Sequence, residues 1–349
     1  MEDCLYDLFK SMDFHSLDEA CSDMEGMRFS DLVWNILKEG PSFLFSRESL
    51  NQLVDFLFGE LSGLKSVLLQ VIMIACVFTF GNRFLEGGRI RSSKISFLMV
   101  YGLVLILILK PMSRVSYLVE EGLSELIRFL TMFLPVFETG LVMTGKILSS
   151  SVFSQGAIFS IYLMEWVVGK WILPLVRVFL YVQLLNHVLE EEKLGHLCDL
   201  IEKFISYLLK LGLGIVLGWN CIQSILTPAK DKLEAQVLTN GLEAVPGVGG
   251  SVESAKEIMV GAGLVLKNTI GVAGLVMITV ILVFPILKIW VVNFSYRILS
   301  ALMEPFSDKR IVNLVDGVGR TIGLYLKCLW YVMLLFWLLL AMVCLVTSG

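Results

Sequence analysis

The chain has 349 residues, of which 56% are hydrophobic and 17% charged, and its formal net charge is −4. Soluble domains are about 45–50% apolar and about 25% charged, so this composition excludes an ordinary water-soluble globular protein. The acidic balance and the dispersed basic residues give no basis for nucleic-acid binding. We therefore predict an all-α, polytopic helical integral membrane protein that lies in a lipid bilayer.

Residues 1–62 form a separate acidic and amphipathic region, which we predict to be helical. Ser16 and Glu19 have the spacing of a capping box, in which the two side chains bind free backbone amides at a helix start. The region is either a small helical cap that lies on the membrane part or a face that binds a partner. No signal-peptide pattern is visible, because the start lacks a basic stretch followed by an apolar run.

Residues 63–349 form a polytopic membrane domain with about eight membrane-embedded helices. A crossing needs about 20 apolar residues. The segment 111–127 has one apolar stripe and is predicted to lie along the membrane surface. The apolar pieces 153–168 and 171–185 are interrupted by Glu165, Lys170, Pro174 and Arg177, so they are either two short spans or broken helices that turn back. The remaining predicted spans are 64–80, 95–109, 128–144, 204–225, 269–292 and 324–346.

Basic residues cluster in two connections of the membrane domain, at 81–94 and at 293–323. Short loops rich in Lys and Arg tend to stay in the cytoplasm. With eight crossings, both connections are then cytoplasmic. The N-terminal region and the more polar segment 227–268 are predicted to lie outside the cytoplasm.

The apolar stretch 266–292 combines charges near its ends with small residues. Lysine near a helix end can extend to the lipid headgroups. Lys267 is therefore either an interfacial anchor or a contact to a polar cavity or a neighbouring subunit. Gly271 and Gly274 permit a close helix–helix contact. The candidate polar or helix-packing positions of this stretch are Lys267, Asn268, Gly271, Gly274, Pro285 and Lys288.

Glu138 and Glu165 are two further candidate positions, since both interrupt apolar runs. Ionisable groups in such runs usually face the protein interior and pair with one another. This leaves open a structural pair between helices, a helix end at the interface or a polar pathway.

Motifs of catalysis and cofactor binding are absent from the sequence. The glycine-rich segments 247–250 and 317–323 lack both the P-loop lysine and the GxGxxG spacing after a strand. The seven cysteines show no CxxC pair, which gives no sign of a disulfide framework or a zinc site. No pattern of nucleophile and base stands out. We therefore expect no enzyme, no cofactor and no metal.

One stretch of the sequence resembles a known family. Residues 264–274, LVLKNTIGVAG, are similar to the stage III sporulation protein AE family. The order of apolar segments from about residue 64 to the end also fits. The further positions that carry the resemblance are Phe284, Pro285, Ile286, Lys288, the ALMEP of 301–305, Ile311, Val312 and Leu314.

The resemblance implies a role in endospore formation. Proteins of this family belong to a set that is encoded together, made in the mother cell and located in the membrane around the forespore. With a forespore-made partner they form a channel-like secretion complex that sustains forespore development. The chain would be a multi-pass subunit, with other membrane proteins of the stage III complex as partners. The alternatives are a self-contained small-solute permease and a scaffold without a conduit.

Overall fold

The regular structure of the chain is helical throughout the part that a computed structural model describes. This part comprises residues 2–25, 28–40, 59, 65–66, 68–74, 76–77, 93–144, 147–188, 194–242, 249–305 and 307–346. Its helices are of two kinds. Three short amphipathic helices come first, and much longer, mostly apolar helices follow them.

The three short helices are α1 (Glu2–Ser11), α2 (His15–Glu25) and α3 (Phe29–Glu39). Aromatic rings join them, because the Phe9 ring lies 5.1 Å from that of Phe14 and 5.3 Å from that of Trp34. Helix α2 begins one residue before the predicted cap Ser16, where the His15 amide donates to the Asp13 carboxylate at 3.0 Å. The three helices together are called the N-terminal unit below.

The long helices form a bundle in which α8 packs against α4 and α9, while α7 packs against α5, α6 and α9. A π-helical segment, Glu165–Ile172, connects α5 to α6. Their bounds are α4 (Ser93–Met143), α5 (Ile147–Met164), α6 (Leu173–Val188), α7 (Gly195–Leu242), α8 (Gly249–Met303) and α9 (Lys309–Val346).

Four helical runs among the described residues are long and apolar enough to cross a membrane: Tyr101–Met143, Ser151–Asn186, Val260–Met303 and Lys309–Cys344. The prediction of a polytopic all-α protein is confirmed at this level, but eight crossings are not shown. The main reason is that predicted segments merge. A continuous helix crosses a bilayer only once, and the predicted elements 95–109, 111–127 and 128–144 all lie within α4.

Prolines explain why the sequence suggested breaks that the structure does not have. Pro111 and Pro135 lie inside α4, and Pro285 lies inside α8. A proline in a membrane helix is tolerated where neighbouring helices and hydroxyl side chains satisfy the freed backbone groups. The carbonyl that Pro135 frees is that of Thr131, four residues earlier, on the exposed side of α4.

The predicted pieces 153–168 and 171–185 are also continuous, so they are neither two spans nor a re-entrant pair. The π-helical segment joins them, and the Leu173 amide donates to the Val168 carbonyl, five residues back. Pro174 follows directly, and a proline ring crowds the carbonyl four residues earlier, here that of Lys170. The wider turn accommodates the proline without ending the helix.

Two predicted connections are largely helical as well. The stretch 293–323 contains the end of α8 at Met303 and the start of α9 at Lys309. Helix α7 extends to Leu242 and α8 begins at Gly249, so most of 227–268 is helical. The predicted span 204–225 lies within α7. Residues 78–92, which include most of the predicted connection 81–94, lie outside the described residues, as do the bounds of the predicted span 64–80.

Candidate functional site

Charge is distributed unevenly along the long helices. Five stretches without Asp, Glu, Lys, Arg or His lie side by side and are called the uncharged zone below. Phe133 of α4 faces Gly274 of α8, and the Trp337 indole of α9 donates to the Thr279 hydroxyl of α8 at 3.0 Å. The zone comprises 129–137 of α4, 147–164 of α5, 211–223 of α7, 269–287 of α8 and 328–346 of α9.

A charged cleft lies beside this zone, between α4, α6 and α9. It has a volume of about 470 Å³, and Glu120, Glu165 and Arg177 lie in its lining. The Arg177 guanidinium forms an ion pair with the Glu120 carboxylate, and both side chains are roughly half exposed. The cleft therefore joins two charges from helices that are far apart in sequence.

Hydroxyl groups extend this ion pair towards α9. The Ser116 hydroxyl donates to the Glu120 carboxylate at 3.3 Å, and the Tyr325 hydroxyl donates to the Ser116 oxygen at 3.4 Å. A charge in hydrocarbon is costly, and such groups face protein or water. The exposed side of the pair is therefore suited to water or to another protein, and unsuited to lipid.

The π-helical segment lies between this cleft and a second cavity. The second cavity, of about 500 Å³, is lined by Tyr162, Glu165, Trp166 and Lys170, among other residues. Trp166 and Trp171 contact each other edge to face, with centroids 5.7 Å apart, and both are about half exposed. Exposed tryptophans are typical of the membrane–water interface. Glu165 thus lies at the boundary where the uncharged stretch of α5 ends.

Lys267 is fully buried, although it is a lysine. Its ammonium donates to the backbone carbonyl of Cys344 at 3.4 Å. This carbonyl belongs to the last turn of α9, where unpaired carbonyls give a helix end partial negative charge. Neither a headgroup anchor nor a direct contact to a neighbouring subunit describes this side chain, because no part of it reaches the surface.

Gly271 and Gly274 lie where α8 meets α4 and α9. A Cβ atom on Gly274 would stand 2.5 Å from Cζ of Phe133, and one on Gly271 would stand 2.5 Å from Sγ of Cys344. These distances leave no room for a side chain. In contrast, Gly218 on α7 has nothing within 4 Å of its Cβ position.

The remaining predicted positions are dispersed. Pro285 packs against α4, since a Cβ atom on Gly122 would stand 3.2 Å from its Cγ. Asn268, Lys288 and Glu138 are half-buried, and only Glu165 lines the charged cleft. Among the residues that the structure describes, no group of three or more His, Cys, Asp or Glu is placed to hold a metal ion.

Sequence reasoning missed Glu120, Ser116 and Tyr325 as members of the cleft. The segment around Glu120 was predicted to lie on the membrane surface, where a carboxylate needs no partner. Arg177 stood out only as an interruption of an apolar run. No local pattern connects these residues, because 57 positions separate Glu120 from Arg177.

The helices, the uncharged zone and the charged cleft define a multi-pass helical membrane protein. The chain belongs to the stage III sporulation protein AE family, whose model matches residues 27–347. It is 22% identical, over 315 residues, to stage III sporulation protein AE of Bacillus subtilis (strain 168). The aligned part covers 89% of this chain and 78% of that protein. No solved structure matches the chain.

Family membership confirms the resemblance seen in the sequence, and it implies a role in stage III of sporulation. The match begins before α3 and ends after α9, so it includes every long helix described above. The charged cleft and the Lys267 contact are therefore parts of the matched region.

Proposed function

We propose that the chain is a multi-pass membrane subunit of the mother-cell channel or secretion complex that forespore development requires. The observation that carries this proposal is the family match over residues 27–347, which takes in the whole bundle. The proposed partners are other membrane proteins of the stage III complex. The proposed location is the mother-cell membrane around the forespore.

The charged cleft supports a subunit role. Exposed Glu120 and Arg177 lie within two of the candidate spans, and the other exposed side chains described on α6 are apolar. Lipid is a poor neighbour for such a pair. A partner subunit that covers the cleft, or a water-filled conduit that the cleft borders, would supply the polar surroundings.

The proposed topology keeps the predicted sides of the membrane. The N-terminal region and 227–268 lie outside the cytoplasm, and 81–94 and 293–323 lie inside. Merging 95–109 with 128–144, and 153–168 with 171–185, removes two crossings. Removing an even number of crossings leaves every later segment on the same side of the membrane as before. Only the junction at 145–146 moves from the inside to the outside.

Purification from sporulating cells tests the subunit role. A tagged chain that complements its own deletion should retain other stage III membrane proteins in mild detergent. The deletion strain should grow normally in the vegetative phase and stop after engulfment has begun. A chain that purifies without membrane partners, from a deletion strain that forms normal spores, would contradict the proposal.

A self-contained small-solute permease is the second candidate. The observation that favours it is the cleft of about 470 Å³, which is lined by both acidic and basic side chains. A permease works alone, whereas a subunit depends on its partners. Purified chain in liposomes should therefore move no small ions or amino acids under the subunit proposal. Transport that disappears in an Arg177→Glu variant would favour the permease.

A further inference from the structure

The N-terminal unit packs against the uncharged zone of the bundle. The Phe29 ring of α3 lies 6.0 Å from that of Phe129 and 5.9 Å from that of Phe133, both on α4. All three side chains are fully buried. Helices α1 and α3 also pack against α8, and α2 packs against α4. The unit thus covers the α4–α8 face of the zone.

The outward side of the unit is hydrophilic. Its apolar side chains, such as Leu17 and Val33, point inward and are fully buried. Ionisable residues occupy the opposite side, and hydrocarbon is unsuited to a surface of this kind. The exposed ionisable residues of the unit are Asp7, Lys10, Asp13, His15, Glu19, Arg28, Asp31 and Lys38.

The exposed face of α9 has a different surface at the same height. Gly274 faces Phe133, and α8 runs antiparallel to α4, so Thr279 lies near Phe129, about one turn further along. Thr279 accepts a hydrogen bond from Trp337 of α9. Leu338 therefore lies at the height of Phe129, and its side chain is 40% exposed. No charged residue occurs in 328–346, which suits contact with lipid.

We propose that the α4–α8 face borders water at a depth where the α9 face borders lipid. The N-terminal unit occupies this water-filled vestibule. Lipid cannot line the charged side of the unit, so other protein chains of the assembly enclose the space. This inference rests on the proposed function, and it assigns the α4–α8 face to the inner surface of the conduit.

The test combines a cross-link with thiol labelling in the full chain, in native membrane vesicles from sporulating cells. A photoreactive phenylalanine analogue at position 29, whose ring lies next to those of Phe129 and Phe133, should cross-link to α4. In a cysteine-free background, Asp31→Cys on α3 and Leu338→Cys on α9 are then labelled separately with a membrane-impermeant maleimide on both sides. The thiolate is the reactive form, so a thiol reacts only where water reaches it.

The expected result is efficient cross-linking, rapid labelling at Asp31→Cys and at least tenfold slower labelling at Leu338→Cys, which becomes reactive in denaturant. Leu334→Cys, one turn away and 45% exposed, is the second lipid-facing control. Equal labelling of both faces would overturn the inference, because this height would then lie outside the hydrocarbon. No labelling at Asp31→Cys, or no cross-link, would overturn it as well.

Co-purification of partners with the tagged chain separates this inference from the proposed function. If the vestibule result fails while the tagged chain still retains stage III partners, the subunit role stands and the vestibule does not. If partners are absent but the two faces label differently, the vestibule belongs to an assembly of this chain alone.

Discussion

The uncharged zone and the half of the bundle next to it are built from the same helices, yet they differ in composition. In α9, residues 328–346 hold no Asp, Glu, Lys, Arg or His, whereas 309–327 hold Lys309, Arg310, Asp316, Arg320 and Lys327. Helix α8 has 55 residues, which is about 83 Å at roughly 1.5 Å per residue, against about 30 Å for a bilayer core. The comparison teaches that a bilayer needs only part of such a helix, and that the uncharged stretch is the part whose composition suits lipid.

The two halves are also held together differently. In the uncharged zone, glycines meet aromatic rings, as Gly274 meets Phe133. Lipid gives no hydrophobic drive for helix association, so close packing has to supply it. In the charged half, side chains bind backbone, as when the Asn293 amide donates to the Gly319 carbonyl at 2.9 Å. The first predictions below each change one half of the bundle, and the last changes the N-terminal unit.

The largest effect is expected for Gly274→Leu. The new side chain would meet the Phe133 ring, because even a Cβ atom stands 2.5 Å from Cζ. Overpacking of this kind costs about 1–3 kcal/mol. Accumulation in the membrane fraction, measured by immunoblot, should fall severalfold. Gly218→Leu is the matched control, since its Cβ position is open. Equal accumulation of the two variants would disprove the contact.

Lys267→Met should have the next largest effect. It removes the ammonium that binds the Cys344 carbonyl at 3.4 Å, and hydrogen bonds of charged groups contribute about 1.5–3 kcal/mol. The end of α9 should open more often, so Cys344 should react with maleimide about tenfold faster. Protein should still reach the membrane while spore yield falls.

Lys288→Met is the control for that experiment, because Lys288 is half-buried and lies just beyond the uncharged stretch of α8. It should leave the Cys344 reaction unchanged. An unchanged Cys344 rate in Lys267→Met would show that the lysine does not hold the end of α9.

A smaller effect on stability, with a clear effect on function, is expected for Arg177→Glu. The Glu120–Arg177 pair is exposed, and such pairs contribute about 0–1 kcal/mol. Accumulation should stay near normal while spore yield falls, since the cleft loses its cation. The exchange of both residues, Glu120→Arg with Arg177→Glu, should recover part of the yield. If Arg177→Glu leaves spore yield unchanged, the charged cleft is not required for the function.

The smallest effect is a pH dependence of the N-terminal unit. Burial, with a further contribution from Asp18, raises the pKa of the Cys21 thiol from 9.0 to about 12. The folded unit thus holds the proton more tightly than the unfolded one. This stabilisation is complete below pH 9 and declines as the pH rises towards 12. It should lose about 1 kcal/mol by pH 10.

Limited proteolysis of the N-terminal unit at pH 8 and pH 10 measures this loss. Cleavage should increase with pH in the natural chain and increase less in Cys21→Ala. The same increase in both chains would assign the effect to other groups.

The class of the fold could be predicted from the sequence, but the number of crossings could not. Apolar composition decides that helices span a membrane. Whether Pro111 ends a helix depends on neighbours that the local sequence does not contain. The same limit applies to 293–323, where charge suggested a connection and the chain is helical up to Met303 and again from Lys309.

The packing positions of α8 were easier to predict than the cleft. Gly271 and Gly274 stand out because glycine is unusual in a long apolar helix, and the structure places both against neighbours. The full burial of Lys267 against the end of α9 was not predicted, because the sequence left open only an interfacial anchor or a contact to a polar cavity or a neighbouring subunit. The Glu120–Arg177 pair depends on the antiparallel packing of α4 and α6, and no spacing within either helix reveals it.

The π-helical segment has a consequence for the length of the chain. A π turn holds about one residue more than an α turn, so the helix that follows can keep its orientation although the chain is one residue longer. Deleting Gly169, which lies on the exposed side of Glu165–Ile172, would return that turn towards α-helical pairing. Because the extra residue and the extra width of the turn would be lost together, α6 would keep nearly its present rotation relative to α5. Arg177 would stay near Glu120, so the wide turn keeps the cleft in register although the chain is one residue longer.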